Sequence, residues 1–512
     1  MFSAVLALTV LGGAVSGCGQ DTAAPSPSSA LASIFSTPPS VYEEQRAEGV
    51  GVLLDELNKV LTSGTRAQLD ALIDPLADPS FIRWWREAQA DLSPNAVLGA
   101  VRSNTRPTGT TDESEPDVGE TTERTTGRTA GRSSSSSGAV SSSSSKPVSR
   151  GTTLVLRTMT YQLAHNSGPD RLIGGELGVK LTDAGSTDSW VSAVKLTYAL
   201  GGAVVPGVDE PEIDLPGMLA FSRYTEGWKL LGDATVAPDP TAQTEESGRP
   251  AEVPPWQFGG LRAADVRTTG GQSAVLSYTG TDRTVGVVRT ELPGAVSAVS
   301  DFWGRDWNRK AVVVATATPQ QFAAFTRTAS GSTSAAAAAT VYSRIDGGTK
   351  AVVGQRIVLS PAAAQLSATG LAVVLRHELF HVATRLSTAE QAPMWLTEGV
   401  AEYVGRRGTR ASVTDLAPDL AVQVAAGRLP DTWPTDAAFS VDTAEARIAY
   451  QTAWSFAAFV ADTYGDDRLK QMYLAVAQGD DTKIAAALQQ TLGETQDELI
   501  TAWQRWLKRE VR

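Results

Sequence analysis

At 512 residues the chain is longer than one hydrophobic core usually organises, so we expect two or three domains. Its 42% hydrophobic and 20% charged residues are ordinary for a globular protein and exclude a wholly disordered chain. Acidic residues outnumber basic ones by 56 to 44, and the net charge of −12 argues against a nucleic-acid partner. The single cysteine, Cys18, excludes a disulfide within the chain.

Residues 1–17 form an apolar run that is too short to span a bilayer comfortably and ends on small residues, which is typical of an export signal. Val15, Ser16, Gly17 and Cys18 resemble a bacterial lipobox, in which the cysteine is lipidated. The resemblance implies a lipid anchor on Cys18 and a location on the extracytoplasmic face of the cell membrane. The alternative is a plain secretory signal with an incidental cysteine. One departure from a typical signal is that no Lys or Arg precedes the apolar run.

The next segments predict a tether and then a folded domain. Residues 18–40, rich in Ser, Pro and Ala, predict a disordered tether. Helical spacing of apolar residues follows up to about residue 101, and residues 104–150 are a low-complexity insert. Four later segments have the alternation of an antiparallel sheet: TTLVLRTMTYQLAH, LIGGELGVKLTD, SWVSAVKLTYALGG and MLAFSRYTEGWKLLGDATV.

Helices followed by a curved antiparallel sheet over residues 41–236 resemble the NTF2-like cone fold. The resemblance implies a small-molecule pocket or a partner-binding surface, but no particular chemistry. We interpret His165, alone in one of the predicted strands, as structural.

A Pro- and Glu-rich linker over residues 237–255 separates this domain from a C-terminal module over residues 256–512. The module begins with strand patterns at SAVLSYTG and KAVVVATA, and between them a helical segment over residues 291–303 is interrupted by Pro293 and Gly294. Further strands are predicted at TVYSRI, KAVVGQ and RIVLSP, and helices dominate afterwards. We therefore expect an α+β protein whose C-terminal domain is zincin-like, with a mixed sheet and a helical subdomain.

The segment SATGLAVVLRHELFHVATRLS predicts a helix that begins at Ser367 or Thr369. His377 and His381 lie four residues apart, so both imidazoles emerge on one helix face and can bind one zinc ion. Glu378 flanks the metal, where its carboxylate can take a proton from water and pass it to a leaving amine. The alternative is that both histidines are structural, although HExxH is rare by chance among three histidines.

A catalytic zinc site needs a third protein ligand. The metzincin pattern is excluded, because Thr384 and Ser387 stand where it requires Gly and His. Downstream, APMWLTEGVAEYVG predicts a second helix and contains the stretch W-L-x-E-G-x-A. This stretch resembles that of gluzincin metallopeptidases, and it resembles the peptidase-MA-like families more than the M1 aminopeptidases, whose GxMEN strand has no match. The resemblance implies that Glu398 is the third zinc ligand.

Glu402, one turn after Glu398, stands where thermolysin-like gluzincins place an acidic residue that supports a ligand histidine. The reverse assignment, with Glu402 as the ligand, stays open. Tyr450, within a stretch that resembles the Y-x-x-x-x-S-F of peptidase-MA-like proteins, is the candidate donor to the oxyanion, with Tyr403 as a rival and a core tyrosine as the alternative. We expect RIVLSP or KAVVGQ to supply the sheet edge for a peptide substrate.

These observations predict a membrane-anchored, extracytoplasmic metallopeptidase that uses one zinc ion to hydrolyse a peptide or protein substrate. One alternative is a lipoprotein scaffold that acts through the NTF2-like domain with an inactive peptidase fold, and the intact Glu378 argues against it. The other is a zinc hydrolase of a non-peptide amide, which needs the same residues.

Overall fold

This computed structural model describes residues 41–92, 154, 156–164, 173–201, 208–236, 251–328, 336–409, 411–439, 444–479 and 481–511. Cys18, His165, the predicted tether and the low-complexity insert lie outside these residues, so the predictions made for them stay predictions. Among the described helices, none combines the length and the apolar content needed to cross a bilayer.

Among the described residues, the N-terminal part begins with three helices: α1 (Val41–Ser63), α2 (Arg66–Leu72) and α3 (Pro79–Leu92). Thr65 begins α2 with a capping box, in which its hydroxyl accepts a hydrogen bond from the Gln68 N–H and the Gln68 side chain accepts one from the Thr65 N–H. The helices pack on a sheet in which each strand is antiparallel to its neighbour, in the order β1-β2-β3-β4. Its strands are β1 (Leu156–Leu163), β2 (Asp188–Leu200), β3 (Ile213–Tyr224) and β4 (Gly227–Asp233). The α+β arrangement is confirmed, and the NTF2-like family stays a prediction.

One segment that we predicted as a strand is a helix. The run LIGGELGVKLTD forms α4 (Gly175–Asp183), so the strand prediction was wrong. Leu177 and Leu181, one turn apart, pack on the other face of the sheet, and Glu176 pairs with Lys180 at 2.7 Å. Burial of these two leucines stabilises the helix in place of a strand. Their partners on the sheet are Val191, Ala220 and Leu231.

A five-stranded mixed sheet begins the C-terminal part, in the order β5-β6-β7-β11-β8. The strands of this part are β5 (Arg262–Thr268), β6 (Gly271–Ser277), β7 (Val312–Ala315), β8 (Ala338–Val341), β9 (Arg344–Ile345), β10 (Val352–Val353) and β11 (Arg356–Leu359). Strand β7 is parallel to both β6 and β11, while β5 and β8 are antiparallel edge strands. The predicted mixed sheet is confirmed.

The structure contradicts one of the two predicted substrate edges. The RIVLSP strand is β11, which pairs with β7 on one side and β8 on the other, so its backbone groups are already used. The KAVVGQ strand is β10, which pairs on one side with β9 in a separate two-stranded sheet, so its role as a substrate edge stays a prediction. Among the described strands, β8 is the edge of the five-stranded sheet on this side.

Helices make up most of the remaining C-terminal part. They are α5 (Asp282–Trp303), α6 (Pro319–Thr326), α7 (Ala368–Thr384), α8 (Met394–Arg406), α9 (Val413–Leu416), α10 (Pro418–Ala425), α11 (Ala444–Tyr464), α12 (Asp466–Val476), α13 (Ile484–Leu492) and α14 (Gln496–Glu510). Helix α5 runs without a break through Pro293, so the predicted interruption there was wrong. Burial of its apolar stripe outweighs the hydrogen bond that proline loses, and the stripe comprises Val288, Leu292, Val296 and Val299.

The two parts of the chain share a buried contact, which we call the interdomain seam and define by Glu210, Arg356, Trp256, Tyr198 and Asp91. The Arg356 guanidinium on β11 donates to both carboxylate oxygens of Glu210, with an Nη2–Oε2 distance of 2.8 Å. Trp256 is buried and meets Tyr198 of β2 edge-on, with 5.1 Å between ring centroids. The apolar core is continuous across this seam.

Candidate metal centre

Helix α7 carries the HExxH pattern through the centre of the C-terminal core. Ser367 caps its first turn, because the Ser367 hydroxyl accepts a hydrogen bond from the Gly370 N–H at 3.1 Å. Of the two N-caps that we predicted, the structure has Ser367. The side chains of His377, Glu378 and His381 are 1%, 0% and 8% exposed. Such burial of polar groups is costly unless they find partners or a ligand.

Two glycines allow α8 to approach its neighbours closely. A Cβ on Gly399 would lie 2.6 Å from the Ala453 carbonyl oxygen of α11, a distance that real Cβ atoms do not show. A Cβ on Gly405 would lie 3.0 Å from the Val373 carbonyl oxygen of α7. Helix α8 therefore lies against both helices, and its acidic side chains reach the histidines. The Gly in the W-L-x-E-G-x-A stretch has this packing role.

Three side chains form a compact group of donor atoms. The Nε2 atoms of His377 and His381 are 3.1 Å apart. The Glu398 carboxylate lies 3.3 Å from the first of these atoms through Oε2 and 3.7 Å from the second through Oε1. The structure therefore brings together the three residues that we predicted as ligands, and all three are buried.

Glu402 lies on the other side of the His377 ring. Its Oε1 is 3.9 Å from His377 Nδ1, which is an ion-pair distance but longer than a hydrogen bond. Its Oε2 accepts a hydrogen bond from Arg406 Nε at 2.7 Å. Glu398 thus lies beside the two Nε2 atoms that face each other, whereas Glu402 lies beside Nδ1 on the other side of the His377 ring.

Glu378 has a hydrogen-bond partner that the sequence did not indicate. Thr340 on the edge strand β8 donates its hydroxyl to Glu378 Oε2 at 2.6 Å. The same hydroxyl lies 3.2 Å from the Glu378 carbonyl oxygen. Thr340 is far from the HExxH pattern in the chain, so spacing could not find it, and the only signal was the predicted strand TVYSRI.

The two candidate tyrosines have different surroundings. Tyr450 on α11 is buried, and its hydroxyl has no hydrogen-bond partner among the described residues. Burial, and then the charges of Glu398, Glu402 and Glu378, raise the pKa of Tyr450 well above its ordinary value, so its hydroxyl stays protonated. Tyr403 instead donates its hydroxyl to Asp466 at 2.7 Å.

The charges of the cluster act strongly on each other when no metal is bound. Burial alone would lower the pKa of His377, but the hydrogen bond with Glu398 and the nearby carboxylate charges raise it to about 9. Burial raises the pKa of Glu378 to about 7, against the opposing effects of His377 and Thr340. Burial, and then the charges of His377 and Arg385, lower the pKa of His381 well below its ordinary range. The carboxylates therefore favour a positive charge at this point of the core.

The donor set fits zinc. Zinc prefers four ligands in a tetrahedron at about 2.0–2.1 Å, which places ligand atoms about 3.3 Å from each other. The donor separations of 3.1, 3.3 and 3.7 Å lie close to this value. Two imidazoles and one carboxylate form a catalytic ligand set that leaves the fourth position open.

Comparison with known proteins points to the same segment. Residues 330–509 match the family model of the Peptidase MA superfamily, and this range contains α7, α8, α11 and Thr340. No curated protein matches the chain.

Several solved structures show a weak likeness. An M1 zinc metallopeptidase from Deinococcus radiodurans has 15% sequence identity over 63% of this chain and 90% of its own, with a TM-score of 0.31. A form of that enzyme bound to a Tyr-Ser-Ala substrate has 16% identity over the same shares and the same TM-score. A two-domain M1 zinc metallopeptidase bound to L-arginine has 14% identity over 62% and 90%, with a TM-score of 0.29. TM-scores this low give no argument for the activity of this chain.

Proposed function

We propose that this protein is a zinc-dependent peptidase of the gluzincin type. His377, His381 and Glu398 would hold one zinc ion. The observation that carries the proposal is the buried triangle of donor atoms with the Glu378 carboxylate beside it, fixed by Thr340. The match of residues 330–509 to the Peptidase MA superfamily supports peptide hydrolysis as the chemistry.

Zinc at this site would supply a Lewis acid that polarises the peptide carbonyl and makes a nearby water more acidic. Glu378 would take the proton from the attacking water and later give it to the leaving amine. The Thr340 hydroxyl binds Oε2 of this carboxylate, which leaves Oε1 available for the proton. Thr340 therefore fixes which oxygen acts as the base.

Two further roles follow from the positions of the side chains. Glu402 supports the zinc ligand His377 from its Nδ1 side, and Arg406 in turn orients Glu402. Tyr450 would donate a hydrogen bond to the developing oxyanion, because its buried hydroxyl has no hydrogen-bond partner among the described residues. Tyr403 is a poorer candidate, since its hydroxyl already donates a hydrogen bond to Asp466.

The location of the peptidase is also a proposal. The V-S-G-C stretch that ends at Cys18 supports a lipid anchor, which would hold the enzyme on the extracytoplasmic face of the cell membrane. Expression of Cys18→Ser beside the unchanged chain tests this. We expect the variant in the soluble fraction, and its persistence in washed membranes would contradict the anchor.

A peptide library tests the proposed activity. The zinc-loaded protein, incubated with mixed synthetic peptides, should produce defined cleavage sites that mass spectrometry identifies. Cleavage should stop when a chelator removes the metal and return when zinc is restored. A protein that binds zinc firmly but cleaves no peptide would favour the scaffold function instead.

A further inference from the structure

Arg385 is a buried arginine next to the metal centre. It follows α7 directly, one turn after His381, and is 6% exposed. Its guanidinium lies 5.0 Å from the centroid of the Tyr342 ring, and Nη2 donates to the Thr388 carbonyl. Its Nε is buried without an acceptor, and no carboxylate of the described residues lies within 4.0 Å of its nitrogens.

The guanidinium lines the same cavity as parts of the metal centre. A small cavity of about 20 Å³ is bounded by Arg385, His381, Thr340 and Tyr342, and its remaining walls are Thr384, Thr388, Thr397 and Tyr473. One candidate zinc ligand and the residue that fixes the general base therefore share it. The cavity has room for about one water-sized group. Tyr342 is half-buried, whereas the other lining residues are buried, so we expect a larger group to enter on the side of its ring.

The other buried arginine of this region, Arg356, has a carboxylate partner. Arg356 pairs with Glu210, and the less buried Arg406 pairs with Glu402. At the centre, the +2 charge of zinc would be balanced by Glu398 and Glu378, which leaves the charge of Arg385 in excess. A buried charge without a counter-ion is costly, and the carbonyls at the end of α7 offset only part of that cost.

We propose that Arg385 binds a carboxylate of the substrate close to the bond that is cleaved. The carboxylate is either an acidic side chain or the free C-terminus of the peptide. The planar guanidinium donates two parallel hydrogen bonds to a carboxylate, and binding would supply the missing counter-ion. This inference rests on the proposed peptidase function and names the substrate class of the same site.

Matched peptides test the inference. A peptide that the enzyme cleaves is made with Glu or with Gln at each position near the cleaved bond, and with a free or an amidated C-terminus. At one position we expect kcat/KM to favour the carboxylate over its neutral counterpart by about 10- to 100-fold, the range for a charge-assisted hydrogen bond. The position at which this preference appears shows whether the carboxylate belongs to a side chain or to the C-terminus of the peptide. Equal rates for all pairs would overturn the inference.

Arg385→Met should abolish this preference, because methionine fills similar space without charge. Arg385→Lys keeps the charge but not the planar fork, so we expect an intermediate preference. Arg344→Met removes an exposed arginine near Tyr342 and should leave the preference intact. If Arg385 only stabilises the fold, its variants will lower kcat/KM for both members of a pair equally, and the inference fails. If Arg385→Met does not fold, the intermediate preference of Arg385→Lys decides.

Equilibrium binding separates this inference from the proposed function. Zinc-loaded Glu378→Gln protein is titrated calorimetrically with the same Glu and Gln peptides. We expect the acidic peptide to bind more tightly than the neutral one, and we expect this difference to disappear in the double variant that also carries Arg385→Met. That result supports the carboxylate site even if no peptide is cleaved. Equal binding of both peptides overturns it, whether or not the enzyme is active.

Discussion

The interdomain seam and the metal centre both bury charged groups, but they pair them differently. At the seam, the Arg356 guanidinium and the Glu210 carboxylate bind each other through two parallel contacts, so the opposite charges cancel. At the centre, His377, His381 and Glu398 converge on one point. The charges of the seam pair cancel within the protein, whereas we propose that a cation completes the centre. We therefore expect changes at the seam to alter stability, and changes at the centre to alter metal binding and turnover.

The largest effect should come from Glu378→Gln. Glutamine keeps the size of the side chain but cannot accept the proton of water, so we expect turnover to fall by about 100- to 10,000-fold. Zinc content should stay near that of the unchanged protein, because Glu378 is not among the three ligands. Glu390→Gln alters an exposed carboxylate on the loop after α7 and serves as the control. Undiminished turnover in Glu378→Gln would rule out its role as the base.

At the seam, Glu210→Gln should destabilise the fold and leave zinc binding unchanged. The change leaves the Arg356 charge buried without its partner, and such a break costs about 3–5 kcal/mol of unfolding free energy. Urea unfolding measures it. The exposed Glu56, 3.5 Å from Lys59, offers a control, since Glu56→Gln should cost about 1 kcal/mol or less. A comparably small loss for Glu210→Gln would show that the seam pair contributes little.

Thr340→Val should weaken catalysis less than the loss of the base. Valine has nearly the same shape but cannot donate to Glu378, and a hydrogen bond to a charged group corresponds to about a 10- to 100-fold change in kcat. Thr340→Ser keeps the hydroxyl and should retain most of the activity. Steady-state kinetics of the two variants separate the hydrogen bond from packing, and equal loss in both would assign the effect to packing.

Asp91 gives an effect that depends on pH rather than a loss at every pH. Burial at the seam raises the pKa of Asp91 to about 7, against hydrogen bonds from the backbone of Leu261 and Gly260. The folded state therefore holds this proton more tightly than the unfolded state does, so ionisation destabilises the fold progressively as pH rises from about 4 to about 7. Asp91→Asn removes this penalty.

Thermal unfolding across this pH range measures the difference. The difference in melting temperature between Asp91→Asn and the unchanged protein should grow from pH 4 to pH 7 and then level off. Each kcal/mol of unfolding free energy corresponds to about 2–4 °C. A difference that is constant with pH would show that Asp91 does not ionise in this window.

The residues of the metal centre could be predicted from the sequence, whereas the residues around it could not. The spacing of His377 and His381 predicted two ligands on one helix face, and the resemblance of the W-L-x-E-G-x-A stretch to gluzincins implied Glu398 as the third. Thr340 and the Glu210–Arg356 pair depend on contacts between distant segments, and one sequence contains no signal of those contacts. Helix α4 was missed because Leu177, Val179 and Leu181 alternate with other residues as in a strand, and its burial against the sheet is a tertiary effect.

Zinc analysis of the purified protein decides whether His377, His381 and Glu398 bind a metal. We predict about one zinc per chain, and its loss in His377→Ala and Glu398→Ala. Glu402→Ala should retain zinc with about 10- to 100-fold lower affinity, as expected for a group that only supports a ligand. A zinc-loaded and dialysed protein that contains no metal, or a His377→Ala variant that binds zinc as well as the unchanged chain, would contradict the account.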